Sequence, residues 1–306
     1  MAGFAERLKT RVPTWKRFVE RARADARNPA YDLLPVLGLS ERDAFTKTLA
    51  AFSPKTTDLV LSPVARDMVA QLRTDGVTAY QPPLAADVVA NLLSYFKATP
   101  CHDPWRAHLG SFPWDQPASD ETNIGHYHWE EVLKAPHMLA LMNAPDVLAA
   151  AEAYLGCKPT IDNIGCAWSY PGRDTAKGVQ RFHRDYDCSR SFKAFYYLTD
   201  IDLESGPHMY VRGSHRNRAL ESGKAQTDAA IVEAFGAEDV LTLTAPAGTW
   251  FLEDVYGFHK GMLPVNRPRI LLSVEYNLYP SPLSPKAPLL ARPSQYDAYI
   301  NRLFLK

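Results

Sequence analysis

His183 and Asp185 stand two positions apart in a segment, residues 180–185, at which the sequence becomes rich in β-forming residues. Side chains two apart on a strand point to the same face, so we expect these two to bind one metal ion. Two histidines and one carboxylate, with open positions left over, are the typical ligand set of a non-haem iron(II) centre. His259, which ends the strand-like run 248–259, is the best candidate for the third ligand. The sequence therefore predicts a metal site at these three residues.

A cationic residue, Arg269, follows His259 by ten positions, after a turn that contains Gly and Pro and at the start of the apolar strand 270–276. If this strand lines a barrel, the guanidinium needs an anionic partner. Burial of an unpaired charge is costly, whereas a carboxylate binds a guanidinium in a bidentate pair. The distal carboxylate of 2-oxoglutarate is such a partner. The alternative is that Arg269 faces solvent together with Arg267.

A second histidine pair, His126 and His128, is followed by Glu130 and Glu131 and forms a rival candidate for a metal site. The spacing from histidine to carboxylate is shorter than in cupin metal sites, and a Pro-rich loop precedes the pair instead of a strand. The pair lies in residues 99–131, which show little periodicity, and so long an irregular stretch usually covers a site. We interpret it as a lid whose His and Trp side chains pack or contact substrate.

The bulk composition restricts the function classes. The chain has 306 residues, of which 46% are apolar and 22% charged, so it can bury a large core. Its 34 basic and 34 acidic residues cancel, so no global field attracts nucleic acid or an anionic membrane. A small-molecule partner is therefore expected.

Location follows from the cysteines and the apolar segments. The four cysteines form no CxxC pair, and the N-terminus lacks an apolar signal core, which predicts a reducing cytoplasmic location. No stretch approaches the roughly 20 consecutive apolar residues of a membrane-spanning helix, so no membrane span is expected.

Residues 1–65 show near-helical spacing of apolar side chains, among them Phe4, Leu8 and Phe18, and residues 40–43 resemble a capping box. We expect a helical N-terminal extension packed on the main domain. The alternative for this basic amphipathic segment is a helix that binds a membrane surface or a partner.

Residues 66–306 are expected to form one domain, which the chain enters through helix 65–73 and strand 77–80. Helical patterns at 85–96 and 136–155 precede more than a hundred residues of short β-rich runs. The expected fold is mainly β with a helical surround (α+β), with a barrel or sandwich in the second half.

These motifs together resemble the phytanoyl-CoA dioxygenase family of Fe(II)- and 2-oxoglutarate-dependent oxygenases, over roughly residues 70–280. The resemblance runs through the His183 and Asp185 pair, the strand 192–198, the turn and strand 204–211, the Gly-Ser-His-Arg motif at 213–216, and the spacing of His259 and Arg269.

The resemblance implies a double-stranded β-helix (a cupin-like jelly roll) with iron at its open mouth. It implies Fe(II) and 2-oxoglutarate as cofactors and dioxygen as a substrate. The small organic substrate is expected to be polar, because His208 departs from the apolar residue of the family pattern. The expected reaction hydroxylates a C–H bond while 2-oxoglutarate is converted to succinate and CO2. Asp185 argues against the halogenating relatives, which carry Gly or Ala at this position. Desaturation, epimerisation or cyclisation by the same iron chemistry, or a non-catalytic binding protein on this fold, remain as alternatives.

Lys193 lies on the strand that, by resemblance, flanks the co-substrate. It is therefore expected to assist Arg269 or to contact the substrate, and the alternative is an exposed lysine on the strand.

Four further residues have expected supporting roles. Glu253 or Asp254 is expected to support the ring of His259, because the second nitrogen of a metal-binding imidazole usually has a partner. His208 replaces an apolar residue of the family pattern and is expected to point into the pocket. His215 is expected to fix the end of the barrel by hydrogen bonding.

Overall fold

Two antiparallel sheets form the centre of the molecule in the computed structural model, which describes residues 15–220 and 224–306. The large sheet has the strand order β2-β1-β3-β4-β10-β5-β8, and the small sheet has the order β7-β6-β9. The strands are β1 (Cys101–His102), β2 (Ser111–Phe112), β3 (Ile124–His126), β4 (Thr160–Ser169), β5 (Ser191–Tyr197), β6 (His208–Val211), β7 (Val240–Leu243), β8 (Trp250–Glu253), β9 (His259–Gly261) and β10 (Arg269–Asn277).

Helices surround the sheets, and most of them precede β4. They are α1 (Trp15–Ala24), α2 (Asn28–Leu33), α3 (Leu39–Phe52), α4 (Pro63–Thr74), α5 (Ala86–Ala98), α6 (Trp129–Lys134), α7 (Met138–Met142), α8 (Pro145–Leu155), α9 (Asp228–Phe235) and α10 (Ala298–Asn301). Within the described ranges, none of these helices has the length and apolar character needed to cross a membrane.

The two sheets enclose an apolar layer on one side of the site. Phe195 and Phe251 of the large sheet pack in one buried cluster with Tyr210 of the small sheet, and Leu241 packs against that cluster. Aromatic and branched side chains on alternate strand positions favour such pairing of pleated faces. Burial of this layer holds the small sheet over the large one.

The register of β10 determines which side chains enter the site. This strand pairs with β4 on one side and with β5 on the other, with Arg269 opposite Ser169 and Glu275 opposite both Asn163 and Lys193. Because side chains alternate along a strand, positions 269, 271, 273 and 275 share one face.

The N-terminal helices are fixed to the β-rich half by specific contacts. The buried guanidinium of Arg42 on α3 donates hydrogen bonds to the carbonyls of Cys188 and Ser189, and Arg27 contacts Ser284. Helix α4 begins at Pro63 with the Ser62 hydroxyl accepting from Ala65 N–H, an N-cap that satisfies one free donor.

Three local expectations were wrong. Residues 77–80 form no strand, because the chain forms isolated bridges to β8 at Val77 and Gln81 and no continuous ladder between them. Residues 40–43 form no capping box, since α3 begins at Leu39 after Gly38, and no side chain caps it. The segment 99–131 is not wholly irregular, because it contributes β1, β2 and β3 to the large sheet.

The predicted helical positions Phe4 and Leu8 lie outside the described residues. Helix α1 covers part of the predicted extension, and Phe18 lies within it.

Candidate functional site

His183, Asp185 and His259 come together at one point between the two sheets. One ligand-type atom from each residue lies within 4.8 Å of the others, and this is the one such group of His, Cys, Asp or Glu among the described residues. Asp185 Oδ1 is 3.4 Å from His183 Nε2, and Asp185 Oδ2 is 3.8 Å from His259 Nε2. Two imidazoles and one carboxylate at these distances fit a divalent iron ion with open coordination positions.

The backbone sets this arrangement. His183 and His259 exchange two reciprocal N–H to carbonyl hydrogen bonds of 3.0 Å, and Asp185 N–H donates to the Val255 carbonyl at 2.8 Å. His183 forms an isolated bridge and Asp185 lies outside any strand, so the prediction of a regular strand for this pair was wrong. A single bridged pair is enough to bring together two histidines 76 positions apart in the sequence.

Each histidine is oriented through the nitrogen that faces away from the cluster. His183 Nδ1 lies 2.9 Å from the Arg181 carbonyl, and His259 Nδ1 lies 3.0 Å from the Gly257 carbonyl. A carbonyl can only accept, so the proton is on Nδ1 in each ring and the Nε2 lone pair is directed at the cluster. The backbone two residues upstream therefore supplies the support that the sequence assigned to Glu253 or Asp254.

Glu253 nevertheless lies beside His259, with Oε1 3.8 Å from Nδ1, and its other oxygen is 2.8 Å from His208 Nε2. Burial raises the pKa of Glu253 to about 8 and, together with Arg269, holds the pKa of His208 well below its usual value. The pair therefore carries no net charge near neutral pH. Asp254 points elsewhere and accepts a hydrogen bond from the Tyr154 hydroxyl.

Lys193 is the cation beside the His183, Asp185 and His259 group. Its ammonium lies 2.7 Å from Asp185 Oδ2 and 3.4 Å from Glu275 Oε2. Burial alone would raise the pKa of Asp185, but Lys193, His183 and His259 hold it well below its usual value. Asp185 is thus ionised, as a metal ligand must be.

Lys193 and Arg269 are separated along the sheet. Lys193 is opposite Glu275 on β10, six residues from Arg269, which is about 20 Å along a strand. The immediate partners of Lys193 are carboxylates of the chain, so its expected assistance to Arg269 remains a prediction.

Arg269 is buried and lacks an anionic partner. Its side chain reaches the cavity that contains the three clustered residues, its Nε and Nη1 make no hydrogen bonds, and no carboxylate among the described residues pairs with it. Burial lowers the pKa of the guanidinium, which reflects an unfavourable environment for the charge. The solvent-facing alternative is excluded, and the free donors fit a carboxylate ligand.

Gly261 provides space for this guanidinium. A Cβ added at Gly261 would lie 2.2 Å from Arg269 Nη2, so any side chain on this β9 residue would displace the arginine. Sequence reasoning did not identify Gly261, because its role depends on the approach of two strands from different sheets.

A cavity of about 280 Å3, which we name the metal-side cavity, connects the His183, Asp185 and His259 group to Arg269. Its walls include His183, Asp185 and His259, the alternate β10 residues Arg269, Leu271, Ser273 and Glu275, and the polar side chains of Asn163, Ser169 and Lys193. His208 also lines it, as expected. Sequence reasoning missed Glu275, although its spacing of six from Arg269 on one strand places both on the same face.

The rival pair is not part of a metal-binding group. The rings of His128 and His102 stack with centroids 3.9 Å apart, and burial lowers the pKa of His126 to about 4. Among the described residues these histidines do not converge with a third ligand. His126 and Ile124 of β3 do line the metal-side cavity, so part of the expected lid contributes to its wall.

No family model and no curated protein sequence matches the chain. Solved structures do match in fold. The non-heme alpha ketoglutarate dependent epimerase SnoN from nogalamycin biosynthesis aligns at 18% identity over 78% of this chain and 95% of its own, with a TM-score of 0.51. EctD from S. alaskensis in its apoform aligns at 18% identity over 83% of this chain and 90% of its own, with a TM-score of 0.50. The chain has the cupin-like double-stranded β-helix fold that the sequence predicted.

Proposed function

We propose that this protein is an Fe(II)- and 2-oxoglutarate-dependent dioxygenase that hydroxylates a C–H bond of a small polar organic substrate. One observation carries the proposal. A group of two histidines and one aspartate lines the same cavity as a buried guanidinium that has no anionic partner. A metal site alone fits many functions, whereas a metal site that shares a cavity with a guanidinium lacking an anionic partner fits a chelating dicarboxylate.

Each residue has a defined role in this proposal. His183, Asp185 and His259 hold the iron, and Arg269 binds the distal carboxylate of 2-oxoglutarate. Gly261 leaves the space that the Arg269 guanidinium occupies. When bound, iron and 2-oxoglutarate supply the oxidising chemistry with dioxygen, and the co-substrate leaves as succinate and CO2. Lys193 holds the free oxygen of Asp185, which keeps this carboxylate in one orientation.

The surrounding side chains favour a polar substrate. Glu275, Asn163 and Ser273 place acceptors and donors along the cavity wall, and both Glu275 oxygens lack hydrogen bonds although Lys193 lies 3.4 Å away. Buried polar atoms without partners are costly, so a ligand that pairs with them is expected there.

Hydroxylation is the favoured outcome because Asp185 occupies the position that a halide would need. SnoN is named as an epimerase, so epimerisation is the best-supported alternative on this fold. We also place the chain, on its ordered motifs, near the phytanoyl-CoA dioxygenase family and in the cytoplasm.

The decisive test is iron-dependent turnover of 2-oxoglutarate. Anaerobically purified protein loaded with Fe(II) should convert 2-oxoglutarate to succinate when oxygen is admitted, and Asp185→Ala should remove this conversion. Slow conversion without the substrate is sufficient, because only the co-substrate is followed. Iron and 2-oxoglutarate binding without any succinate would identify a binding protein and refute the enzymatic assignment.

A further inference from the structure

A second cavity, of about 430 Å3, lies between the N-terminal helices and the β-rich half, and it shares no lining residue with the metal-side cavity. We name it the arginine cavity after its lining residues Arg42, Arg73, Arg190 and Arg216. These arginines come from four separate segments: α3, α4, the loop before β5 and the turn after β6. We propose that the arginine cavity binds a small phosphorylated molecule through its phosphate group.

The charges in the arginine cavity are unequal. Two carboxylates, Asp43 and Asp254, accompany the four guanidiniums. Asp43 is already paired with Arg190 at 2.7 Å and with Lys47 at 2.6 Å. Asp254 accepts from the Tyr154 hydroxyl and from the Tyr256 N–H at 2.8 Å. Among the described residues, no carboxylate pairs with the other three arginines, so four guanidiniums against two carboxylates leave the lining with a surplus of positive charge.

Those three arginines contact the protein only through neutral groups. Arg73 donates to the Ala153 carbonyl, and Arg216 donates to the Thr74 carbonyl. Arg42 donates to the Cys188 and Ser189 carbonyls, and its guanidinium lies 3.9 Å from the centre of the Tyr256 ring. Carbonyls and a ring face orient a guanidinium without neutralising its charge. These contacts hold three positive charges around one cavity.

Two buried side chains of the cavity lining have nitrogens without a hydrogen-bond partner among the described residues. Arg42 is 4% exposed, and its Nη1 has no hydrogen bond. His215 is 7% exposed, and neither ring nitrogen makes a hydrogen bond of acceptable geometry, although the ring approaches the backbone of Arg73. The sequence motif suggested that His215 fixes the end of the barrel by hydrogen bonding, and the ring does not have that role. A buried donor without a partner is costly, and a bound acceptor removes that cost.

Phosphate fits this geometry better than a carboxylate does. A carboxylate presents two oxygens in one plane, which suits a single guanidinium. A phosphomonoester presents three strong acceptor oxygens in different directions and carries close to two negative charges at neutral pH. Donors that converge from several separate segments match the second arrangement. The volume beyond the phosphate leaves room for a small organic group.

Calorimetric titration of the full-length, metal-free protein with inorganic phosphate, at constant ionic strength, tests the proposal. Saturable binding is expected in the wild type. Arg73→Gln and Arg216→Gln should each weaken it by about 10- to 100-fold, because each removes one charge-assisted hydrogen bond. Both side chains are exposed at the cavity rim, so these variants should fold, and a thermal melt of each verifies this.

Two controls locate the site. Arg212→Gln removes an exposed arginine that pairs with Asp239 outside the cavity, and it should leave phosphate binding unchanged. Arg269→Gln should also leave it unchanged, because Arg269 belongs to the other cavity. Phosphate binding that is lost in Arg269→Gln and retained in Arg216→Gln would overturn the proposal. The absence of saturable phosphate binding by the wild type would also overturn it. Citrate that binds more tightly than phosphate, through the same arginines, would exclude phosphate as the recognised group.

Discussion

Replacement of Arg269 by Met should change ligand binding and protein stability in opposite directions. In the ligand-free protein this guanidinium is buried, and two of its three nitrogens have no hydrogen bond. Met has a similar length and no charge, so the substitution removes a desolvation cost without leaving a large cavity. We expect a gain of at least about 1 kcal/mol in the free energy of unfolding, which corresponds to a melting temperature roughly 1.5–2 °C higher for a chain of this size.

Affinity for 2-oxoglutarate should fall at the same time. Removal of one partner from a buried charged pair costs about 3–5 kcal/mol, which corresponds to between two and four orders of magnitude in the dissociation constant. Iron binding should be nearly unchanged, because Arg269 is not among the three clustered residues. Anaerobic titration with 2-oxoglutarate, followed through the visible charge-transfer band of the Fe(II) chelate, measures this loss.

Arg267→Met is the matched control. Arg267 lies two positions earlier, is 57% exposed and pairs with Asp202, so its loss should affect neither property by more than a few tenths of a kcal/mol. An Arg269→Met variant that binds 2-oxoglutarate as the wild type does would refute the assignment. If Arg269→Met lowers the free energy of unfolding and also weakens 2-oxoglutarate binding, Arg269 supports the fold instead of the ligand.

Three further predictions follow from the geometry of the site. His183→Ala and His259→Ala should each remove stoichiometric iron binding measured by metal analysis, whereas His128→Ala should retain it. The opposite pattern would show that the metal binds at the pair that contains His128. Gly261→Ala should displace the Arg269 guanidinium, since the new Cβ would lie 2.2 Å from Nη2. The variant should therefore bind 2-oxoglutarate at least tenfold more weakly, with unchanged iron affinity. If the variant and the wild type bind 2-oxoglutarate equally in the titration, the close approach of Gly261 to Arg269 is contradicted. Burial alone would lower the pKa of His183, but Asp185 raises it above its ordinary value, so a proton competes with the metal for this ring. Iron affinity measured by calorimetry should therefore fall by about tenfold per pH unit once the pH drops below that pKa. An iron affinity that does not change down to pH 5 would show that the ring is not protonated.

The extent to which sequence predicted the fold can be seen in individual strands. The runs that became β5 and β10 were located to within one or two residues, because both are dense in aromatic and β-branched side chains and are bounded by turn residues. Residues 77–80 have a similar local pattern and form only isolated bridges. Local propensity does not determine whether a neighbouring strand is available for pairing, and that depends on the whole fold.

The candidate site shows the same division. Residue type and spacing, together with the resemblance to an oxygenase family, selected His183, Asp185, His259 and Arg269 before the structure was known. Sequence did not determine that carbonyls of Arg181 and Gly257 would orient the rings, since backbone groups are present at every position.

Two roles were decided by tertiary structure alone. Lys193 was expected to assist Arg269 or to contact the substrate, and the register of β5 against β10 places it between Asp185 and Glu275. Gly261 has a role only because β9 approaches the end of β10 from the opposite sheet. The sequence by itself determined which residues can perform the chemistry, since this depends on side-chain type. Pairing register and the approach of the sheets decided which charges neutralise each other and which remain free for a ligand, because both depend on contacts between residues far apart in the chain.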